Sequence, residues 1–140
     1  MQHVWLLHNP RAGRPAYAKY VERAAEALAR RGVAVTFHRP ASIDELRQLA
    51  REAVSARADA VLVAGGDGSL GTVAAELAGS ATALGFIPAG TANVWARELN
   101  LPMPTWLKPQ AIERAALQLL EAAPRLADLG RCNGRLFLLW

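Results

Sequence analysis

Three glycine-bearing turns in this chain carry residue types that could handle a phosphate. The most distinctive is Gly65-Gly66-Asp67-Gly68-Ser69. Its glycines clear side chains from the backbone, allow positive φ, and let several N–H groups point at one anion. A helix starting just after the turn would add its unpaired N–H groups and the positive end of its dipole. Asp67 is out of place in such a cradle, because a carboxylate repels phosphate. It makes sense if it holds Mg²⁺, accepts a proton from an attacking hydroxyl, or does both. It also makes sense if Asp67 or Ser69 merely caps a tight strand-to-helix turn. No Gly-Lys-Ser follows, so the turn is not a Walker A loop, and it lacks the spacing of the dinucleotide fingerprint.

The second turn is Pro88-Ala89-Gly90-Thr91-Ala92-Asn93. Thr91 is placed to cap the following helix or to bond a phosphate oxygen, and Asn93 offers both a donor and an acceptor. The third is His8-Asn9-Pro10-Arg11-Ala12-Gly13. There Asn9 could reach a phosphate while Arg11 and Arg14 supply charge; the plain alternative is a strand-ending turn with solvated arginines. Three such turns after three strands are harder to explain by chance than any one of them.

The elements around these turns follow from periodicity and punctuation. Apolar runs at residues 4–8, 33–37, 60–64 and 83–87 read as strands. Residues 15–31 show helical spacing and end on Arg30-Arg31-Gly32, a common helix stop. Ser42 and Glu45 have capping-box spacing and open a helix to about residue 57. Helices are also expected at 70–78, 92–99 and 110–122, and a proline-bearing loop at 101–109. Asn133-Gly134 suits a type I′ turn between strands at 126–130 and 136–140. Strand and helix thus alternate four times, the pattern of an α/β fold whose parallel sheet has helices on both faces. In such sheets ligands bind beyond the carboxyl ends of the strands, where all three turns lie.

Composition sets the outer bounds. The chain has 140 residues, 52% hydrophobic and 20% charged, which is enough for one well-packed core. A net charge of +4 favours anionic partners. The arginines are scattered, with no basic run interleaved with aromatics, so nucleic acid is not expected as a partner. The single cysteine, Cys132, can form neither an internal disulfide nor a cysteine metal site, which suits a reducing compartment. No apolar run approaches the ~20 residues of a membrane span. A cytoplasmic chain is expected, or one held peripherally at the inner membrane face.

The ordered set Asn9-Pro10-x-x-Gly13, Gly65-Gly66-Asp67-Gly68-Ser69 and Pro88-x-Gly90-Thr91-x-Asn93, with Ala96-Arg97-x-Leu99, resembles the catalytic domain of diacylglycerol kinases. That superfamily includes sphingosine kinases and bacterial lipid kinases, with NAD kinases and phosphofructokinases as distant relatives. The resemblance covers essentially the whole chain. It implies an α/β nucleotide-binding domain over residues 1–124 that binds ATP with Mg²⁺. Residues 125–140 would then be a β-hairpin beginning a second, β-rich domain. Asn9, Gly13, Gly65, Gly66, Gly68, Ser69, Gly90, Thr91 and Asn93 would bind the nucleotide, and Asp67 would be the catalytic and metal-linked acid. The implied reaction moves the γ-phosphoryl group of ATP to a diacylglycerol-like lipid hydroxyl, with the lipid held by the second domain and this half inactive alone. A stand-alone, non-catalytic nucleotide- or phosphate-binding module is the alternative. Gly71 and Val94 depart from the family's usual Asn and Asp, and no phosphate-contacting threonine is evident near Pro40, Ser42 being better explained as a helix cap. Trp95 and Trp106, beside Arg97 and Lys108, suit core or interdomain packing, or contact with a bilayer. The apolar end at residues 136–140 is expected to fold back on the α/β unit or to pair with its copy in a homodimer.

Overall fold

A computed structural model describes residues 1–138. Four parallel strands, β1 (His3–His8), β2 (Ala34–His38), β3 (Ala60–Gly65) and β4 (Ala83–Pro88), form one sheet in the order β2-β1-β3-β4. The chain steps from β1 outward to β2, then crosses back to the other side of β1. The order therefore reverses between β1 and β3, the switch point where doubly wound sheets open a crevice at their carboxyl ends. The register sets His8 opposite Ala64, so the turns after β1 and β3 leave the sheet side by side.

Both faces of the sheet are covered. On one, Val21, Ala24 and Leu28 of α1 (Ala18–Arg30) and Ile112 and Ala116 of α5 (Ala111–Glu121) pack with Val4, Leu6, Leu62 and Ile87. On the other, Leu46, Leu49, Ala50 and Ala53 of α2 (Ile43–Ser55) and Val73 and Leu77 of α3 (Asp67–Leu77) pack with Leu7, Val61 and Val63. This two-sided burial explains why β3 is apolar at every position. Each fully buried Leu or Ile contributes roughly 1.5–3 kcal/mol of transfer free energy. At α2 the Ser42 hydroxyl caps the helix, accepting from Glu45 N–H at 3.1 Å, while the Glu45 carboxylate reaches one residue further back than in a capping box and accepts from Ala41 N–H at 2.6 Å.

Several boundaries differ from the sequence reading. Residues 15–17 form a 3-10 turn that opens on Pro15, and the α-helix begins at Ala18. Helix α3 begins at Asp67, inside the glycine-rich turn rather than at residue 70. Helix α4 (Val94–Glu98) is shorter than the 92–99 expected, because Asn93 takes left-handed backbone angles at its N-cap. Residues 126–129 are not a strand: the hairpin is β5 (Gly130–Cys132) and β6 (Arg135–Phe137), with Gly130 set opposite Phe137. Its loop is Asn133-Gly134, with φ of 48° and 78°, as a type I′ turn requires. Leu138 packs on Leu70, Phe86, Ala96 and Leu101. The outer part of the strand expected at 136–140, residues 139–140, lies outside the described residues.

Candidate phosphate-binding site

Backbone geometry draws the three turns into one cluster at the switch point. Asn9 follows β1 directly, and its N–H donates to the Ala64 carbonyl at 2.9 Å. Its side-chain Nδ2 donates to the Ser69 hydroxyl at 2.8 Å, while its Oδ1 accepts from Arg11 N–H at 3.0 Å. Asn9 thereby closes its own loop and ties that loop to α3 across the crevice. Ser69, 4% exposed, is the buried end of this link.

The turn after β4 is held just as tightly. The Gly65 carbonyl accepts from both Ala89 N–H (2.9 Å) and Gly90 N–H (2.8 Å). The Asn93 side chain closes a ring on Gly90, Oδ1 accepting from its N–H at 3.1 Å and Nδ2 donating to its carbonyl at 2.8 Å. Two glycines allow the close approach. A Cβ on Gly90 would overlap Gly66 Cα, and one on Gly13, whose φ is +69°, would overlap the Ala89 carbonyl. Gly13 and Gly90 therefore fix how near the turns come to one another, and both ends of the Asn93 amide are engaged within its own turn.

Asp67 sits at the start of α3. Its Oδ2 accepts from Val94 N–H at 3.1 Å and its Oδ1 from Trp95 N–H at 3.2 Å. It therefore caps a helix, though α4 rather than the one it begins. Thr91 does not cap α4; it lies exposed on the turn between Gly90 and Asn93.

An anion would find free donors at α3. The N-cap of α3 is Gly66, with no side chain to satisfy the first-turn N–H groups, and Gly68 has open space where a Cβ would stand. These features fit a nucleotide phosphate. They also fit Mg²⁺ in one form only, because among the described residues no three His, Cys, Asp or Glu side chains group together. Asp67 is half-buried and would contribute one carboxylate, the phosphates supplying the other protein-independent ligands that such sites commonly use. Beside Asn9 a small cavity of about 40 Å³ opens between the β1 and β2 loops, lined in part by Arg11, Pro40 and Ser42.

Sequence reasoning passed over His8. It is 3% exposed, its ring stacks on Phe37 at 6.5 Å between centroids, and its Nδ1 is buried with no partner. Burial, reinforced by the Arg39 guanidinium, lowers its pKa from 6.5 to about 4. A neutral imidazole thus sits directly behind the Asn9 turn. Only the placement of β2 beside β1, which brings Phe37 and Arg39 to this ring, creates that environment.

The diacylglycerol kinase catalytic domain family matches residues 3–132 of this chain. A diacylglycerol kinase of Bacillus subtilis is 29% identical over 140 residues, covering 99% of this chain and 44% of that protein. A diacylglycerol kinase of Mycobacterium tuberculosis is 38% identical over 128 residues, covering 91% of this chain and 40% of that protein. The crystal structure of a diacylglycerol kinase from Bacillus anthracis superposes with a TM-score of 0.82 at 26% identity, covering 98% of this chain and 46% of that one. The chain thus spans less than half the length of the relatives it matches.

Proposed function

Since the chain belongs to the diacylglycerol kinase catalytic domain family, we propose that it is the ATP-binding half of a lipid kinase. The observation that carries this reading is the convergence of the three turns at the β1/β3 switch point, through Asn9–Ser69, Gly13–Ala89 and Gly66–Gly90. The phosphates of ATP lie over Gly66–Gly68, where the Asp67 and Gly68 N–H groups open α3 ahead of the Ser69 and Leu70 bonds to the Gly66 carbonyl and no Cβ intrudes at Gly68.

In the transfer, the oxygen of a diacylglycerol-like hydroxyl bonds to the γ-phosphorus as the bond to the β-phosphate oxygen breaks. ADP leaves, and the hydroxyl proton passes to Asp67. Such transfer depends mainly on positioning and on stabilising charge, which fixed backbone donors supply without reorganisation. Bound Mg²⁺ would neutralise charge on the phosphates, with Asp67 as its protein ligand. The acceptor lipid is held outside this α/β unit, and the unit by itself does not phosphorylate lipid.

Titration calorimetry with ATP and Mg²⁺ tests the reading. Weak, saturable binding is expected. A folded chain that gives no heat at millimolar nucleotide would refute it.

A further inference from the structure

We infer that Asp67, besides the proton and metal roles proposed above, positions the Gly90–Asn93 turn, holding it in its phosphate-facing shape by clamping the start of α4. The functional half of this inference rests on the nucleotide-binding reading; the structural half stands without it.

Helix α4 has only five residues, and its N-cap residue gives it no side-chain cap. A helix this short is not stable by itself. Its first N–H groups need an acceptor, and the Asp67 carboxylate takes two of them, one on each oxygen. Asn93, which would ordinarily cap the helix, instead has φ of 50° and spends its side chain on Gly90. The Gly90 N–H also donates to the Gly65 carbonyl. The bonds therefore form a closed circuit, from Asp67 to α4, through Asn93 to Gly90, and back to the β3 end at Gly65. Removing Asp67 opens it at the helix. α4 then frays, Asn93 loses its fixed backbone, and the turn around Gly90 loosens although nothing in that turn was altered.

The same bonds account for a carboxylate beside a phosphate site. Two backbone N–H groups face its oxygens, so its charge is partly compensated inside the protein.

Amide exchange and nucleotide titration on Asp67→Ala, Asn93→Ala and the double variant test this. In Asp67→Ala, exchange at Val94, Trp95 and Gly90 should quicken at least ~10-fold, the effect of ~1.4 kcal/mol of lost local stability. Amides of β1 and β3 should keep their protection. Asp67→Asn retains one acceptor oxygen and should fall between, and it serves as the reading should Asp67→Ala not fold. A carboxylate with a merely structural role would instead quicken exchange across the sheet. In affinity for ATP titrated without Mg²⁺, which leaves any metal contact of Asp67 out of the comparison, the two single losses should overlap, the double variant binding about as weakly as the worse single one. Unchanged protection at Gly90, or single effects that multiply in the double variant, overturns the inference. A wild-type chain that binds no ATP refutes the nucleotide reading instead, and the Gly90 exchange still decides the positioning role.

Discussion

Substituting alanine at Gly90 and at Gly68 should have opposite consequences, and the structure says why. A Cβ on Gly90 would overlap Gly66 Cα and would lie 2.9 Å from Asn93 Oδ1 and 3.0 Å from Gly66 N. Two of these obstacles are backbone atoms and cannot rotate away. The third belongs to the amide that closes the turn. Overpacking typically costs ~1–3 kcal/mol, and with rigid neighbours the upper part of that range applies. For a chain of this size each kcal/mol lowers Tm by about 4 °C, so Gly90→Ala should melt roughly 8–12 °C early. Gly68 lies within α3 with nothing within 4 Å of its would-be Cβ. Gly68→Ala removes backbone freedom from the unfolded chain and should raise stability by ~0.5–1 kcal/mol. The added methyl group would nonetheless stand over the α3 N–H groups, and ATP affinity should fall by about tenfold, a loss of ~1.4 kcal/mol. Differential scanning calorimetry beside nucleotide titration separates the two effects. Gly90→Ala melting together with the wild type would refute the close approach of the turns. Gly68→Ala that is more stable and still binds ATP normally would refute the placement of phosphate over α3.

Acid should weaken the fold through His8. Its folded pKa is about 4 against 6.5 when unfolded, so the unfolded chain takes up the proton first and stability falls as pH drops from 6.5 toward 4. The full contribution is about 3 kcal/mol, and urea melts of His8→Phe should lack this slope; a slope that persists would place its origin elsewhere. Asn9→Ala removes the donor to the buried Ser69 hydroxyl and should cost ~1–2 kcal/mol in chemical denaturation; a neutral result would mean the bond across the crevice contributes nothing. Ser42→Ala should cost ~1 kcal/mol through the α2 cap. A paired substitution of Trp106 and Leu107 by serine should leave Tm nearly unchanged, since these side chains are 74% and 66% exposed; a marked loss would mean they help hold the α/β unit together.

What this sequence determined by itself is what short stretches of chain dictate. The β3 run is apolar because it is covered on both sides, the Ser42 cap reaches only three residues on to Glu45, and Asn133-Gly134 admits two successive positive φ angles. The three glycine turns were legible for the same reason, since backbone freedom and missing side chains are local properties. Tertiary structure decided what each turn touches. The strand order β2-β1-β3-β4 is a choice among chain paths, and only it sets Asn9 beside Ser69, 60 residues on. Asp67 could be read as metal-linked, basic or capping; that its oxygens meet the N–H groups of Val94 and Trp95, 27 and 28 residues away, depends on where β4 delivers α4. Asn93 looked free to contact a ligand, and its left-handed backbone turned its amide onto Gly90 instead. His8 carried no signal at all, because a pKa follows from burial and neighbouring charge, and both come from β2 lying against β1.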